Sequence, residues 1–121
     1  MAVRGIRGAT VAKANTVDDI LRSTTELLTE LIQQNAIDID EVASIFFSVT
    51  TDLTAVFPAV AARQMGFFHT PLFCLTEIPV PDSLTQCIRI LIHLNTDKQQ
   101  VDMHHVYLND AEVLRPDWTD G

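Results

Sequence analysis

The sequence predicts one α+β domain, in which a mixed β-sheet carries two main helices over one face. Three observations support this class. The 121 residues suffice for one compact core, two segments have the apolar spacing of helices, and five segments have the alternation or continuous apolarity of strands. Because two helices cover only one face of a sheet, we expect self-association in a symmetric oligomer to cover the other.

The first half of the chain supplies a strand, a long helix and a second strand. Residues 2–12, AVRGIRGATVA, alternate as a strand, and the small residues beside Arg7 leave space for a ligand. Thr16 is a helix cap, since its hydroxyl can accept a backbone N–H bond, and the helical spacing continues to about Asn35. Residues 44–50, SIFFSVT, are almost entirely apolar, which predicts a strand buried on both faces.

The second half supplies a helix and three strands. The helix begins at Pro58 and ends near Gly66, and it is apolar nearly all round, so we expect one side of it to meet another subunit. The strands are predicted at 71–77 (PLFCLTE), 87–94 (CIRILIHL) and 102–108 (DMHHVYL).

The whole chain, 1–121, is predicted to be a single domain. Its last residues, about 116–121, contain too few apolar groups to order themselves, and we expect a mobile C-terminal tail there.

Composition excludes several classes of partner. The net charge of −8 and the pI of about 4.7 argue against nucleic acid and anionic membrane surfaces. No apolar run approaches the roughly 20 residues that span a bilayer, and the N-terminus lacks the apolar segment of a secretory signal. We therefore expect a cytoplasmic protein, whose partner can still be a small anion.

The cysteines and histidines show no metal-site spacing. Cys74 and Cys87 form no CxxC pair, and the adjacent His104 and His105 would face opposite sides of a strand. We expect two free thiols in a reducing compartment, with a disulfide or a reactive cysteine as the alternative, and we expect no metal and no nucleophilic mechanism.

Arg89 raises the main functional question of the sequence. It lies among apolar residues within the predicted strand 87–94, and an unpaired buried charge costs several kcal/mol. Arg89 therefore needs either a carboxylate partner or an anionic ligand. Arg7 and Arg63 also lie in apolar segments. Converging arginines suit a substrate with more than one carboxylate, whereas pairing of each arginine with a nearby acid is the alternative.

Several blocks of the sequence resemble the barrel-type chorismate mutases of the AroH class. The similarity runs in order from Val3 to Asp117. The blocks are RGIRGAT at 4–10, VFPAVAAR at 56–63, Cys74 with Glu77, CIR at 87–89, HVYL at 105–108 and VLRPD at 113–117.

The resemblance implies a homotrimeric pseudo-α/β-barrel with active sites at the subunit interfaces. It implies rearrangement of chorismate to prephenate in aromatic amino-acid biosynthesis, without cofactor, metal or covalent intermediate. By resemblance, Arg89 donates to the ether oxygen of the breaking bond, and Arg7 and Tyr107 hold carboxylate. Glu77 and Cys74 contact the ring hydroxyl, so that Arg89, Glu77 and Arg7 are the catalytic candidates.

The same resemblance implies further substrate-binding residues. Arg63 and Phe57 would line the site from the neighbouring helix, and Leu114 with Arg115 would close over it from the C-terminal segment. The chain has Val60 where relatives often carry a lysine. We expect the loss of that charge to weaken binding more than chemistry.

The spacing of two of these residues predicts a local irregularity. Cys74 and Glu77 are three apart, so on a regular strand they face opposite ways. Both can reach one substrate only if the strand twists or bulges, and we predict such an irregularity near Thr76.

Two other functions compete with the mutase. The trimeric imine and enamine deaminases resemble this architecture and also hold a carboxylate with an interface arginine, but their sequence signatures are absent here. A non-catalytic trimer that senses a small dicarboxylate would need the arginines but not Glu77.

Overall fold

In the computed structural model, which describes residues 1–114, five strands form one mixed sheet. The strands are β1 Ala2–Val11, β2 Val42–Val49, β3 Leu72–Thr76, β4 Cys87–Thr96 and β5 Val106–Tyr107, and the α-helices are α1 Val17–Asn35 and α2 Ala59–Gln64. Short 3-10 helices cover Ile39–Glu41, Gln100–Asp102 and Asn109–Leu114. The predicted α+β class and the order of the main elements are confirmed.

The sheet order is β3-β2-β4-β1-β5, which places β4 at the centre. β4 runs antiparallel to β1 and β2, whereas β3 is parallel to β2 and β5 is parallel to β1. In this register Arg89 lies directly between Ala9 on β1 and Ser48 on β2. The sequence question about Arg89 therefore concerns the middle of the sheet.

The main core lies between the two helices and one face of the sheet. Thr16 caps α1 as predicted, since its hydroxyl accepts the backbone N–H of Asp19 at 3.1 Å. The apolar side of α1 then packs on the sheet with α2 beside it. The buried residues of this core include Ile6, Leu27, Leu28, Leu31, Ile45, Phe47, Ala59, Ala62, Ile90 and Ile92. We call the opposite side of the sheet the open face.

Close packing of α1 on the sheet depends on Gly8. A Cβ at this position would lie 2.9 Å from the carbonyl oxygen of Val106 and 3.1 Å from Cδ1 atoms of both Leu27 and Leu31. Any side chain at Gly8 would therefore push apart β1, β5 and α1.

The prediction that the strand at 44–50 is buried on both faces is wrong. Ile45 and Phe47 point into the helix-covered core, but Phe46 and Ser48 on the open face are only partly buried. The strand is apolar throughout because its open-face side also carries apolar side chains. A single chain covers these side chains only in part.

The apolar composition of α2 does not require a second subunit. Its alanines at 59, 61 and 62 are buried within the same chain, while Arg63 and Gln64 are exposed. A helix of six residues is short enough for its own core to bury its apolar side.

The predicted strand at 102–108 forms only the two-residue β5. Side chains take the place of the missing strand along the outer edge of β1. The amide of Gln100 accepts from the N–H of Gly5 at 2.9 Å and donates to its carbonyl at 2.6 Å. Nδ1 of His105 accepts from the N–H of Arg7 at 2.9 Å. These bonds satisfy backbone groups that an edge would otherwise expose.

The predicted mobile tail, 116–121, lies outside the described residues. Within residues 1–114, no helix combines the length and the apolarity that crossing a membrane requires.

Candidate active site

A cavity of about 370 Å³ opens on the open face above the centre of the sheet. Four of the predicted site residues line it, namely Arg7, Arg89, Tyr107 and Leu114. We call it the arginine cavity. Leu75 at the end of β3 closes its far side.

Strand alternation brings the two arginines together. Arg7 and Ala9 share the open face of β1, and Arg89 faces the same way on β4, directly opposite Ala9. Arg7 and Arg89 are thus diagonal neighbours across an antiparallel pair. Both arginines line the same cavity, so one ligand in it can contact both guanidinium groups.

Glu77 supplies a carboxylate partner for Arg89. Its Oε2 lies 3.1 Å from Nε of Arg89, and the two side chains are 26% and 42% exposed respectively. This Nε atom is itself fully buried and, among residues 1–114, has no acceptor at a hydrogen-bonding angle. The contact is therefore an ion pair rather than a well-aligned hydrogen bond, and the exposed part of Arg89 belongs to its other atoms.

Two guanidinium groups line the arginine cavity. They belong to Arg7 and Arg89, and the carboxylate of Glu77 pairs with Arg89. Arg89 thus has a carboxylate partner and also lines a cavity together with a second guanidinium, a group that suits carboxylate ligands.

The predicted irregularity near Thr76 is wrong. The pairing of β2 with β3 is regular from Ile45 opposite Leu72 to Val49 opposite Thr76. The N–H of Glu77 donates to the carbonyl of Val49 at 2.8 Å and continues the same ladder. Regular alternation leaves Glu77 on the open face.

Cys74 consequently lies on the other side of the sheet. It pairs with Phe47, packs against the helix-covered core, and lines a second cavity of about 450 Å³. Phe57, which is 70% exposed, lines this second cavity as well, and we call it the Phe57 cavity. Arg63 is exposed on α2, on the same side of the sheet.

Within one chain, the predicted site residues thus divide into two groups. Arg7, Glu77, Arg89 and Tyr107, with Leu114, meet on the open face, whereas Cys74, Phe57 and Arg63 lie on the helix-covered side. Arg115 lies outside the described residues.

Sequence reasoning missed Ser48. Its Oγ donates to Oε2 of Glu77 at 2.9 Å, the same oxygen that faces Arg89. The available signal was a hydroxyl at each end of an apolar strand, since Ser44 and Ser48 share the open face of β2.

The thiol of Cys87 lies beside Arg89 but is unsuited to nucleophilic chemistry. Cys87 is 1% exposed and packs with Ala9 and Ala111. Burial raises the pKa of the Cys87 thiol above its ordinary value of 9.0, although the charge of Arg89 opposes the shift. The thiol is therefore protonated at neutral pH.

Comparisons with known proteins find relatives along nearly the whole chain. A family model described as chorismate mutase type I matches residues 3–118. The chorismate mutase AroH of Thermus thermophilus is 47% identical over 116 residues, which are 95% of each protein. The chorismate mutase AroH of Bacillus subtilis (strain 168) is 42% identical over 118 residues, which are 97% of this chain and 93% of that protein.

A solved structure shows the same fold. A chorismate mutase from Clostridium thermocellum is similar with a TM-score of 0.88 and 51% sequence identity, over 90% of this chain and 97% of that one. Because the family model and the relatives cover nearly the whole sequence, the chain belongs to the type I chorismate mutase family.

Proposed function

We propose that this chain rearranges chorismate to prephenate at the arginine cavity, for aromatic amino-acid biosynthesis. Family membership makes the chain a chorismate mutase, an isomerase. One observation carries the placement of the reaction. Arg89 lies at the centre of the sheet with its Nε at Glu77, and Arg7 faces the same cavity.

The chemistry of the rearrangement matches these groups. An intramolecular Claisen rearrangement is pericyclic, so it needs no nucleophile and no proton transfer. It needs the flexible substrate held in its compact reactive conformer. It also needs positive charge where the ether oxygen becomes negative as the C–O bond lengthens. A guanidinium fixed in the sheet provides that charge without reorganising.

Each residue of the arginine cavity then has a role. Arg89 donates to the ether oxygen, and Arg7 and Tyr107 bind carboxylate groups of the substrate. Glu77 holds Arg89 and contacts the ring hydroxyl. Leu114 already lines the cavity, and with Arg115 it closes over the bound substrate.

The site is completed by a second subunit of a homotrimeric pseudo-α/β-barrel. The support is the division of the site residues within one chain. Phe57, Arg63 and Cys74 lie on the opposite side of the sheet from Arg89, so they can reach a substrate bound to Arg89 only if they come from a neighbour.

The exposed apolar surface supports the same assembly. The edge strand β3 presents Phe73, which is 57% exposed and contacts the ring of Phe46 at a centroid distance of 5.9 Å. Leu75, beside it on the open face, is also exposed. Apolar patches of this kind mark protein interfaces, and a neighbouring subunit that covers them would also enclose the arginine cavity.

Two further proposals follow from the sequence expectations. We place the enzyme in the cytoplasm, since Cys74 and Cys87 are both free thiols, as expected in a reducing compartment. The absence of a lysine side chain at Val60, which is partly buried on α2, weakens substrate binding more than it slows the reaction.

The experiment that tests the function is the loss of chorismate absorbance with purified protein. The parent should turn over chorismate, and Arg89→Lys should lose about 10²- to 10³-fold in kcat, because lysine keeps the charge but lacks the planar fork. Arg22→Lys is the matched control. Arg22 is an exposed arginine of α1 that pairs with Asp19, and its replacement should leave kcat unchanged.

A folded parent without turnover would contradict the proposal. If such a protein bound a small dicarboxylate, and Glu77→Gln left this binding unchanged, the sensor alternative would hold instead. Equal kcat values for the parent and Arg89→Lys would show that the reaction takes place elsewhere.

A further inference from the structure

We propose that Ser48 is a positioning residue of the mutase reaction, whose hydroxyl holds the Glu77 carboxylate against Arg89 and thereby fixes the direction of the Arg89 side chain. The inference rests on the proposed function, since it assigns Ser48 a part in preparing the group that stabilises the ether oxygen.

The hydrogen bonds around Glu77 identify Ser48 as the residue that anchors this carboxylate. Oγ of Ser48 donates to Oε2 at 2.9 Å, and this oxygen lies 3.1 Å from Nε of Arg89. The other oxygen, Oε1, accepts from the N–H of Ile78 at 3.2 Å. Both carboxylate oxygens are thus held, and among residues 1–114 the Ser48 bond is the one hydrogen bond on the oxygen that meets Arg89.

The sheet order explains why an anchor is needed. Glu77 follows β3 and Arg89 belongs to β4, but β2 lies between these two strands. Neighbouring strands are about 4.8 Å apart, so the ion pair must bridge roughly twice that distance. Ser48 is the residue of β2 directly beside Arg89 in the register, and it also pairs with Leu75 of β3. The carboxylate therefore crosses β2 at Ser48.

Loss of the hydroxyl would release Glu77 rather than remove it. Its side chain is partly exposed, so the carboxylate could turn towards water with Ile78 as its remaining anchor. The buried Nε of Arg89 would then lose its counter-charge, and the guanidinium would rotate towards another acceptor. A displacement of about 1 Å at a reacting group can cost about 10²-fold in rate.

The first test compares Ser48→Ala, Ser48→Thr and Ser44→Ala in the chorismate assay. We expect Ser48→Ala to lose about 10-fold or more in kcat with little change in KM, because Arg89 acts in the transition state. Ser48→Thr keeps the hydroxyl and should restore most of kcat. Ser44→Ala removes a hydroxyl from the same strand and face, but its partner is Nδ1 of His93 at 2.9 Å, so kcat should be that of the parent.

A double-mutant cycle separates positioning from direct contact, since Ser48 also lines the arginine cavity. If Ser48 acts through Glu77, Ser48→Ala should cause no further loss in a Glu77→Ala background. The same fold loss in both backgrounds would mean that Ser48 binds the substrate itself, and would overturn the proposal. An unchanged kcat in Ser48→Ala would overturn it too.

A measurement without substrate keeps the inference distinct from the proposed function. The Nε–H of Arg89 is buried, so its hydrogen exchange in ¹⁵N spectra should be slow in the parent, with Arg89→Lys identifying the signal. Ser48→Ala should speed this exchange, and Ser44→Ala should not. Equal exchange in all three proteins would refute the positioning role even if chorismate is turned over. Faster exchange in Ser48→Ala would support the positioning role even if chorismate is not turned over.

Discussion

Arg89 shows which properties of a charged residue in an apolar strand can be inferred from sequence. Period-two spacing assigned it to the face opposite Ile88 and Ile90, and the structure confirms this side. The choice between a carboxylate and a ligand depended on residues of other strands, since Glu77 reaches Arg89 across β2. A partner that is distant in sequence and on a non-neighbouring strand leaves no local pattern, and the same reason explains why Ser48 was missed.

The buried thiol of Cys87 makes the free energy of unfolding depend on pH in the alkaline range. Because burial raises its pKa above 9.0 in the folded state, the contribution of Cys87 to stability is fully present below about pH 9. As pH rises further the unfolded chain ionises first, so the free energy of unfolding falls by up to about 1.4 kcal/mol per pH unit until the folded thiol also ionises.

Urea unfolding at fixed protein concentration between pH 8 and 10.5 measures this dependence. Cys87→Ala should be less stable at pH 8 through its cavity, but it should lose less stability above pH 9 than the parent. Cys74→Ala is the control for removal of a thiol. Above pH 9 its free energy of unfolding should fall with pH as steeply as that of the parent, because Cys87 is still present. Identical slopes for Cys87→Ala and the parent would contradict the prediction.

At the scale of elements, the contact of β1 with β5 and α1 leaves no room for a side chain at Gly8. Gly8→Ala would place a Cβ 2.9 Å from a backbone oxygen of Val106, and a backbone atom cannot rotate away. We expect a destabilisation of about 1 to 3 kcal/mol by overpacking, measured by urea unfolding.

Gly5→Ala is the matched control on the same strand. Among residues 1–114, its Cβ would meet only Cδ1 of Leu91, at an ordinary 3.8 Å. We expect this variant to be unchanged, or stabilised by about 0.4 to 1 kcal/mol through the lower entropy of the unfolded chain. Equal losses in the two variants would show that β1 needs glycine for its backbone and not for packing against α1.

Elements with a regular spacing of apolar residues were predicted from sequence. Elements held by side chains that are distant in sequence were not. The cap at Thr16 and the helix to Asn35 are as predicted, because both signals are local. The strand at 102–108 was overestimated because alternation cannot show that Gln100 and His105 would bind the edge of β1 with their side chains. The irregularity expected near Thr76 assumed that one chain builds the whole site, and regular pairing removes that assumption.

At the scale of the whole molecule, the resemblance named candidate site residues that a single chain does not bring together. Arg7 and Arg89 of the arginine cavity lie on the opposite side of the sheet from Cys74 of the Phe57 cavity, and Leu75 on the edge strand β3 lines both cavities. Composition and periodicity describe one chain at a time, so they predict that the open face needs a cover but not which residues the cover brings. The proposed trimer resolves this, with Arg89 from one subunit and Arg63 from the next.

Complementation between two inactive variants tests this central claim most directly. Arg89→Ala removes the charge at the ether oxygen, and Arg63→Glu places a carboxylate against an anionic substrate; each trimer alone should be inactive. Mixed trimers, co-expressed with two different tags and purified on both, combine an intact Arg89 with an intact Arg63 at one interface. They should turn over chorismate at about a third of the parent rate per trimer. Inactive mixed trimers, or a protein that cannot be isolated with both tags, would contradict a site shared between subunits.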